Sequence, residues 1–194
     1  MRNLLFYIRI LINFMRYKFV IKRSKKFLID FGSSIVGGHM ITMGQSFAAK
    51  KDLRMEAFGD GSETKIEIGD YVSFGECVHV GAVNKIIFGD HVLLGSRILV
   101  IDHNHGKYNG DHQSSPLQAP SDRIVHSPGG IVINSHVWIG DGVVILPNVV
   151  IGKGAIIAAN TVVNKDVKPH SIVGGNPMRY LKAFNADNLR WESL

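Results

Sequence analysis

The residues with the clearest chemical potential form one short string, Asp102-His103-Asn104-His105. Histidine takes up and returns a proton near neutral pH. A histidine with a fixed backbone and an open ring can therefore act as a general base. His103 sits where a regular stretch hands over to an irregular one, which supplies both conditions. His103 and His105 are two residues apart and would share one face of a strand. With Asp102 they could also begin a zinc or nickel site. Proton transfer and metal binding are thus the two chemical readings of the string, and proton transfer is the preferred one. Farther back, His79 and Asn84 flank a two-residue insertion and are candidates for contact with a substrate.

The elements that must position these residues show a six-residue period. Branched or small residues recur at Ile131, Val137, Val143, Val149, Ala155, Thr161 and Val167, and two residues on stand Ile133, Ile139, Ile145, Ile151, Ile157 and Val163. Gly140 and Gly152 fall at the corner phase. No helix has this period, and a strand that bends every six residues coils into a triangular prism with three hexads to a turn. The phase also runs through Ile66, Val72 and Val78, and after two extra residues through Ile86, Val92 and Ile98. A weaker trace lies at Ile35 and Ile41, while residues 45–65 read as irregular. Residues 30–173 are expected to form one repeat-built domain, each hexad sharing a core with its neighbours. The period breaks after His103, and residues 104–130 have none. Loops of this length without their own structure are usually functional or disordered; the histidines and the abrupt start favour function over a tolerated insertion.

This pattern resembles the hexapeptide-repeat acyltransferases, which implies an all-β fold, a left-handed parallel β-helix. The likeness spans about residues 55–182 and is strongest to the sugar and O-antigen O-acetyltransferases. It is carried by Asp102-His103-Asn104-His105-Gly106, by Ser114-Ser115-Pro116 within the protruding loop, and by Val137-Trp138-Ile139-Gly140 after it. The resemblance implies His103 as the base that deprotonates a sugar hydroxyl for attack on acetyl-CoA, with no covalent intermediate and no metal required. Asp102, His105, His79, Asn84 and Trp138 are then expected at the substrate. Asp141, Ala159, Asn164, Lys165 and Arg179 match positions along the family's coenzyme A groove, where small corner residues admit the pantetheine and the cations meet phosphates. The family is trimeric, with sites between adjacent coils. The galactoside-type pattern has an Asn where Gly75 stands and an acid where Val83 stands, so a simple galactoside is not the expected acceptor. Alternatives are an N-acetyltransferase acting on an amino sugar, a non-enzymatic rod, and a metal hydrolase. The related γ-class carbonic anhydrases place two zinc histidines five residues apart, and here the residue five after His103 is Tyr108. Cys77, the one cysteine, has no base beside it in sequence and is expected to be inert.

The 194-residue chain carries a formal charge of +6, but residues 1–26 alone hold eight cations and no acid, which leaves −2 on the remainder. The coil has no basic, aromatic-studded surface of the kind that binds nucleic acid. Within residues 1–29, Leu5, Ile8, Ile12, Met15 and Phe19 follow helical spacing. Arg9 and Arg16 interrupt any membrane-spanning run, and no cleavable signal pattern is present. Two readings stand for this arm: packing on the open end of the coil or a neighbouring subunit, and peripheral contact of residues 1–26 with an anionic membrane. Residues 174–194 are expected to leave the coil and end in a short helix from Asn185. A single cysteine and no secretion signal suggest the cytoplasm.

Overall fold

The computed structural model describes residues 8, 11, 12, 14–18, 20, 21, 23, 24 and 27–194. Leu5, Phe19 and several of the arm's cations, Arg2 and Arg9 among them, lie outside these.

The six-residue period becomes three parallel sheets that form the faces of a prism. The first face stacks strands such as Ile41–Met43, Ile66–Ile68, Ile86–Phe88, Ile131–Ile133 and Val149–Ile151. The second face runs from Phe27–Ile29 through Trp138–Ile139 to Ser171–Gly174, and the third from Ser34–Val36 through Leu99–Ile101 to Val162–Val163. Register makes like residues meet: Ile41 pairs with Ile66, Ile66 with Ile86, Ile86 with Ile131, and Ile131 with Val149. Each stacks about 4.8 Å from the next and is 0% exposed. Full burial of such a side chain contributes about 1.5–3 kcal/mol.

The coil begins earlier than expected. Residues 45–65 are irregular only over 58–65: Phe47–Ala49 and Arg54–Ala57 are in register with the coils above. Strands Arg23–Ser24 and Phe27–Ile29 already pair in parallel with the next turn.

Glycine at the corners answers to crowding. A Cβ at Gly75 would lie 2.3 Å from the Gly95 carbonyl oxygen, and one at Gly95 would lie 2.1 Å from Asp141. The left-handed bend falls two residues on, at Tyr71, Cys77, His91 and Arg97, with φ between 55° and 57°. Side chains stitch these corners together. Asp90 Oδ1 accepts from Asp70 N–H at 2.7 Å, and Asp141 Oδ1 accepts from Ser96 N–H at 2.8 Å.

The C-terminus differs from expectation. In place of a helix over 185–194, strands Arg179–Asn185 and Arg190–Ser193 fold back as an antiparallel hairpin on the second face. Asn185 Oδ1 accepts N–H bonds from Asp187 and Asn188 at 2.9 and 3.4 Å, an Asx turn that competes with helix initiation. At the other end, the described residues between 8 and 18 are helical.

Candidate active site

Strand Leu99–Ile101 delivers Asp102 to the corner between the third and first faces. Asp102 is 0% exposed. Its Oδ1 accepts from Val83 N–H at 2.8 Å and its Oδ2 from Asn84 N–H at 2.9 Å. The extra pair of residues before Ile86 thus forms a small loop whose amides are capped by the aspartate one coil on. Both bonds are part-buried, and an amide shielded from water is costly without a partner.

The same Oδ1 lies 3.2 Å from His103 Nδ1. A carboxylate only accepts hydrogen bonds, so the proton belongs on Nδ1 and the lone pair on Nε2. The His103 side chain is 16% exposed, and the Phe58 ring meets it edge-on at 6.0 Å between centroids. The backbone then enters the protruding loop, where Asn104–His105 pairs antiparallel with Val125–His126. Arg123 donates to the Tyr108 hydroxyl at 2.9 Å, and that hydroxyl donates to the His105 carbonyl. The loop is therefore built structure, which leaves a corner and returns without interrupting the Ile86–Ile131 ladder.

Between this hairpin and the segment following Ala57 lies a cavity of about 800 Å³, within the range of small-molecule sites. His103 and His105 line one side of it; Phe58, Asp60, Glu63 and Lys65 line the other. Sequence reading missed that second wall.

His79 lies one coil below on the third face, and its Nε2 is 3.0 Å from Glu56 Oε2. Glu56 also accepts from Arg54 at 2.9 Å. Partial burial pushes the Glu56 carboxyl up, but its bonds to Arg54 and His79 outweigh this and hold it below the ordinary glutamate range. Gly81 lies between the two imidazoles: a Cβ there would stand 3.3 Å from His103 Cε1 and 3.7 Å from His79 Nε2. Asn84 contributes its N–H to Asp102, while the residue itself is exposed.

The other expected residues do not converge on His103 within one chain. Asp141 and Ala159 stand at the corner between the second and third faces. Asn164 and Lys165 stand at the opposite edge of the third face, on the corner that also carries His103, and Arg179 opens the C-terminal hairpin. All five are exposed. The Asp141 carboxylate is engaged in corner stitching and lies 4.0 Å from Arg97. Trp138 is on the outer side of the second face, 52% exposed, and in register with Leu93 and Ile156. Cys77 is a free, exposed thiol at a corner. Among the described residues no three histidine, cysteine or acidic side chains cluster closely enough to hold a metal ion.

Comparison with known proteins agrees with this architecture. Residues 130–165 match the family model described as bacterial transferase hexapeptide (six repeats). A protein of Escherichia coli (strain K12), named provisionally a lipopolysaccharide biosynthesis O-acetyl transferase, WbbJ, is 32% identical over 85% of this chain and 83% of its own length. Among solved structures, a point mutant of AntD, an N-acyltransferase from Bacillus cereus, in complex with dTDP and coenzyme A, superposes with a TM-score of 0.61 at 25% identity, covering 84% of this chain and 83% of that one. A hexapeptide-repeat-containing acetyltransferase from Vibrio cholerae O1 biovar eltor, complexed with acetyl coenzyme A, gives a TM-score of 0.53 at 25% identity, covering 89% and 76%. The expected left-handed parallel β-helix holds. The chain belongs to the hexapeptide-repeat acyltransferase family.

Proposed function

We propose that this protein transfers an acetyl group from acetyl-CoA to a hydroxyl of a surface-polysaccharide sugar, with His103 as general base. The observation that carries this reading is His103 itself. Its Nδ1 is fixed by the buried Asp102, and its ring opens onto the cavity of about 800 Å³ walled by the protruding loop. Nε2 takes the proton from the sugar hydroxyl, and the oxygen attacks the thioester carbonyl carbon. The tetrahedral oxyanion draws on backbone N–H donors at a coil corner. The carbon–sulfur bond breaks, and the imidazolium returns its proton to the CoA thiolate. Asp102 stabilises the imidazolium between these steps. The related E. coli protein, by its name, and the acetyl-CoA complex of the V. cholerae protein support both the reaction class and the cosubstrate.

The working unit is a homotrimer. Leu93, Trp138, Ile156 and Ile172 form one apolar ribbon along the second face, with Leu93 and Trp138 half exposed. Such a ribbon fits a neighbouring subunit. The coenzyme A residues split between two edges of the third face, which fits a groove closed by two chains, with the adenosine phosphates near Lys165 and Arg179. The reaction takes place in the cytoplasm, where acetyl-CoA is made.

An acceptor panel tests the reading. Purified protein, acetyl-CoA and saccharides that are free, nucleotide-linked or lipid-linked are incubated, and the product's acetyl bond is typed by mild alkali. An alkali-labile ester on a sugar is expected. An alkali-stable amide would establish N-acetylation instead, and thioester hydrolysis without any acetylated sugar would contradict the proposal.

A further inference from the structure

The front helix is apolar on two sides, and only one of them is covered. Phe14, Tyr17 and Ile21 face the coil. Tyr17 is 3% exposed and donates its hydroxyl to the Ser33 carbonyl at 2.6 Å, Ile21 is 1% exposed, and the Phe14 ring lies 5.0 Å from that of Phe27. On the other side Ile8, Leu11, Ile12 and Met15 follow i, i+3, i+4, i+7 spacing and are 44–61% exposed. The docking face is thus not the stripe whose spacing first marks the helix in the sequence. That stripe is left bare.

The helix end is packed, through one turn, against the wall of the cavity beside His103. Val20 packs on Gly38 so closely that a Cβ there would lie 2.5 Å from Val20 Cγ1. Met40, 3% exposed, reaches Gly59, and its carbonyl accepts the Lys65 N–H at 2.8 Å. Gly59 and Lys65 belong to the cavity wall facing His103. Helix end, turn and wall form one packed block.

Charge decides what covers the stripe. Eight cations and no acid occur in residues 1–26, and Arg16 and Lys18 among them are exposed. A second copy of the arm would bring the same sign of charge to the contact. An anionic bilayer supplies both an apolar layer and the opposite charge. No helix among the described residues is long and apolar enough to cross a membrane, and in the sequence Arg9 and Arg16 interrupt any spanning run, which favours lying on the surface.

We propose that the stripe Ile8-Leu11-Ile12-Met15 docks this protein on an anionic bilayer and thereby presents the cavity beside His103 to a saccharide carried on a membrane lipid. The docking stands on the helix alone; the saccharide rests on the acyltransferase reading above.

Full-length protein is sedimented with vesicles of phosphatidylcholine, alone or with about one-third phosphatidylglycerol, at roughly 0.1 M salt. Binding to the mixed vesicles is expected to be at least about tenfold tighter than to the neutral ones, and to weaken as salt rises. Leu11→Ser with Ile12→Ser, and separately Arg16→Gln with Lys18→Gln, should each weaken binding by about three- to tenfold or more. Acetyl transfer to a water-soluble saccharide should remain at the wild-type rate. Equal binding to both vesicle types, or no binding, overturns the proposal. So does a serine variant whose only defect is a smaller assembly on sedimentation, which would assign the stripe to a second copy. If vesicle binding holds while no acceptor is acetylated, the docking stands and the acyltransferase reading falls.

Discussion

Replacing Asp102 by asparagine tests how the site holds its base. The carboxylate serves three donors: Oδ1 receives Val83 N–H and His103 Nδ1–H, and Oδ2 receives Asn84 N–H. An amide has one acceptor oxygen. With that oxygen at the Oδ1 position two donors keep their partner and one amide–amide clash appears; the flipped rotamer keeps one donor and creates two clashes. The first arrangement should prevail. It takes the partner from the Asn84 N–H, and because Asn84 is exposed the cost should be that of one ordinary hydrogen bond, about 0.5–1.5 kcal/mol. A loss of about 1 kcal/mol corresponds to a melting shift of roughly 2–4 °C for a chain of this size. Catalytically, His103 keeps its tautomer but loses the charge that stabilises its cation. A hydrogen bond to a charged partner exceeds a neutral one by about 1–2 kcal/mol, so kcat should fall roughly 5- to 30-fold. Release of the CoA thiol reports the rate, corrected for the single exposed thiol of Cys77. Full activity in a folded Asp102→Asn protein would refute the orienting role. A loss on the order of 10⁴, the mark of a wrong tautomer, would show that the amide sits the other way round and that the donor count misjudged the site.

Three further substitutions probe the surroundings. Gly81→Ala puts a methyl 3.3 Å from His103 Cε1, close enough to displace that ring; we expect kcat/KM to fall about tenfold or more, and an unchanged rate would show that the position of the ring is not critical. The Glu56 carboxyl is held below its ordinary range, so its contacts with Arg54 and His79 stabilise the fold above the unfolded glutamate pKa and lose that effect as pH falls through the folded value. The stability gap between wild type and Glu56→Gln, read from urea midpoints, should therefore close on acidification below about pH 4.5; a gap independent of pH would contradict the assignment. Trp138→Glu places a charge in the Leu93–Trp138–Ile156 ribbon and should lower the mass seen in analytical ultracentrifugation while the coil stays folded by circular dichroism; an intact assembly would move the subunit contact elsewhere.

The fold was legible where Val and Ile repeat the phase, because each inward residue stacks on its like one coil away. It faded over 45–65, where Phe47, Ala49, Leu53 and Met55 occupy the same inward positions. The spacing Ile41, Phe47, Leu53 still carries the signal, but mixed side-chain shapes hide it. His103 and the loop could be read from the break in the period. Glu56 and Phe58 could not, because they reach the site across coils and no local pattern marks that contact. The arm illustrates a different limit. Periodicity shows that a helix is apolar on a side, but only packing shows which side the coil takes. The C-terminal helix was misread because Asn185 and Asp187 suit a helix start and a turn equally well.

Single-turnover acetyl transfer by His103→Ala, measured beside equilibrium binding of coenzyme A, tests the central assignment most directly. Removal of the base should slow transfer by about 10²–10⁴ and leave coenzyme A affinity within roughly twofold, since His103 is not among the expected cofactor residues. Transfer at the wild-type rate by a folded His103→Ala protein would contradict the role given to this histidine.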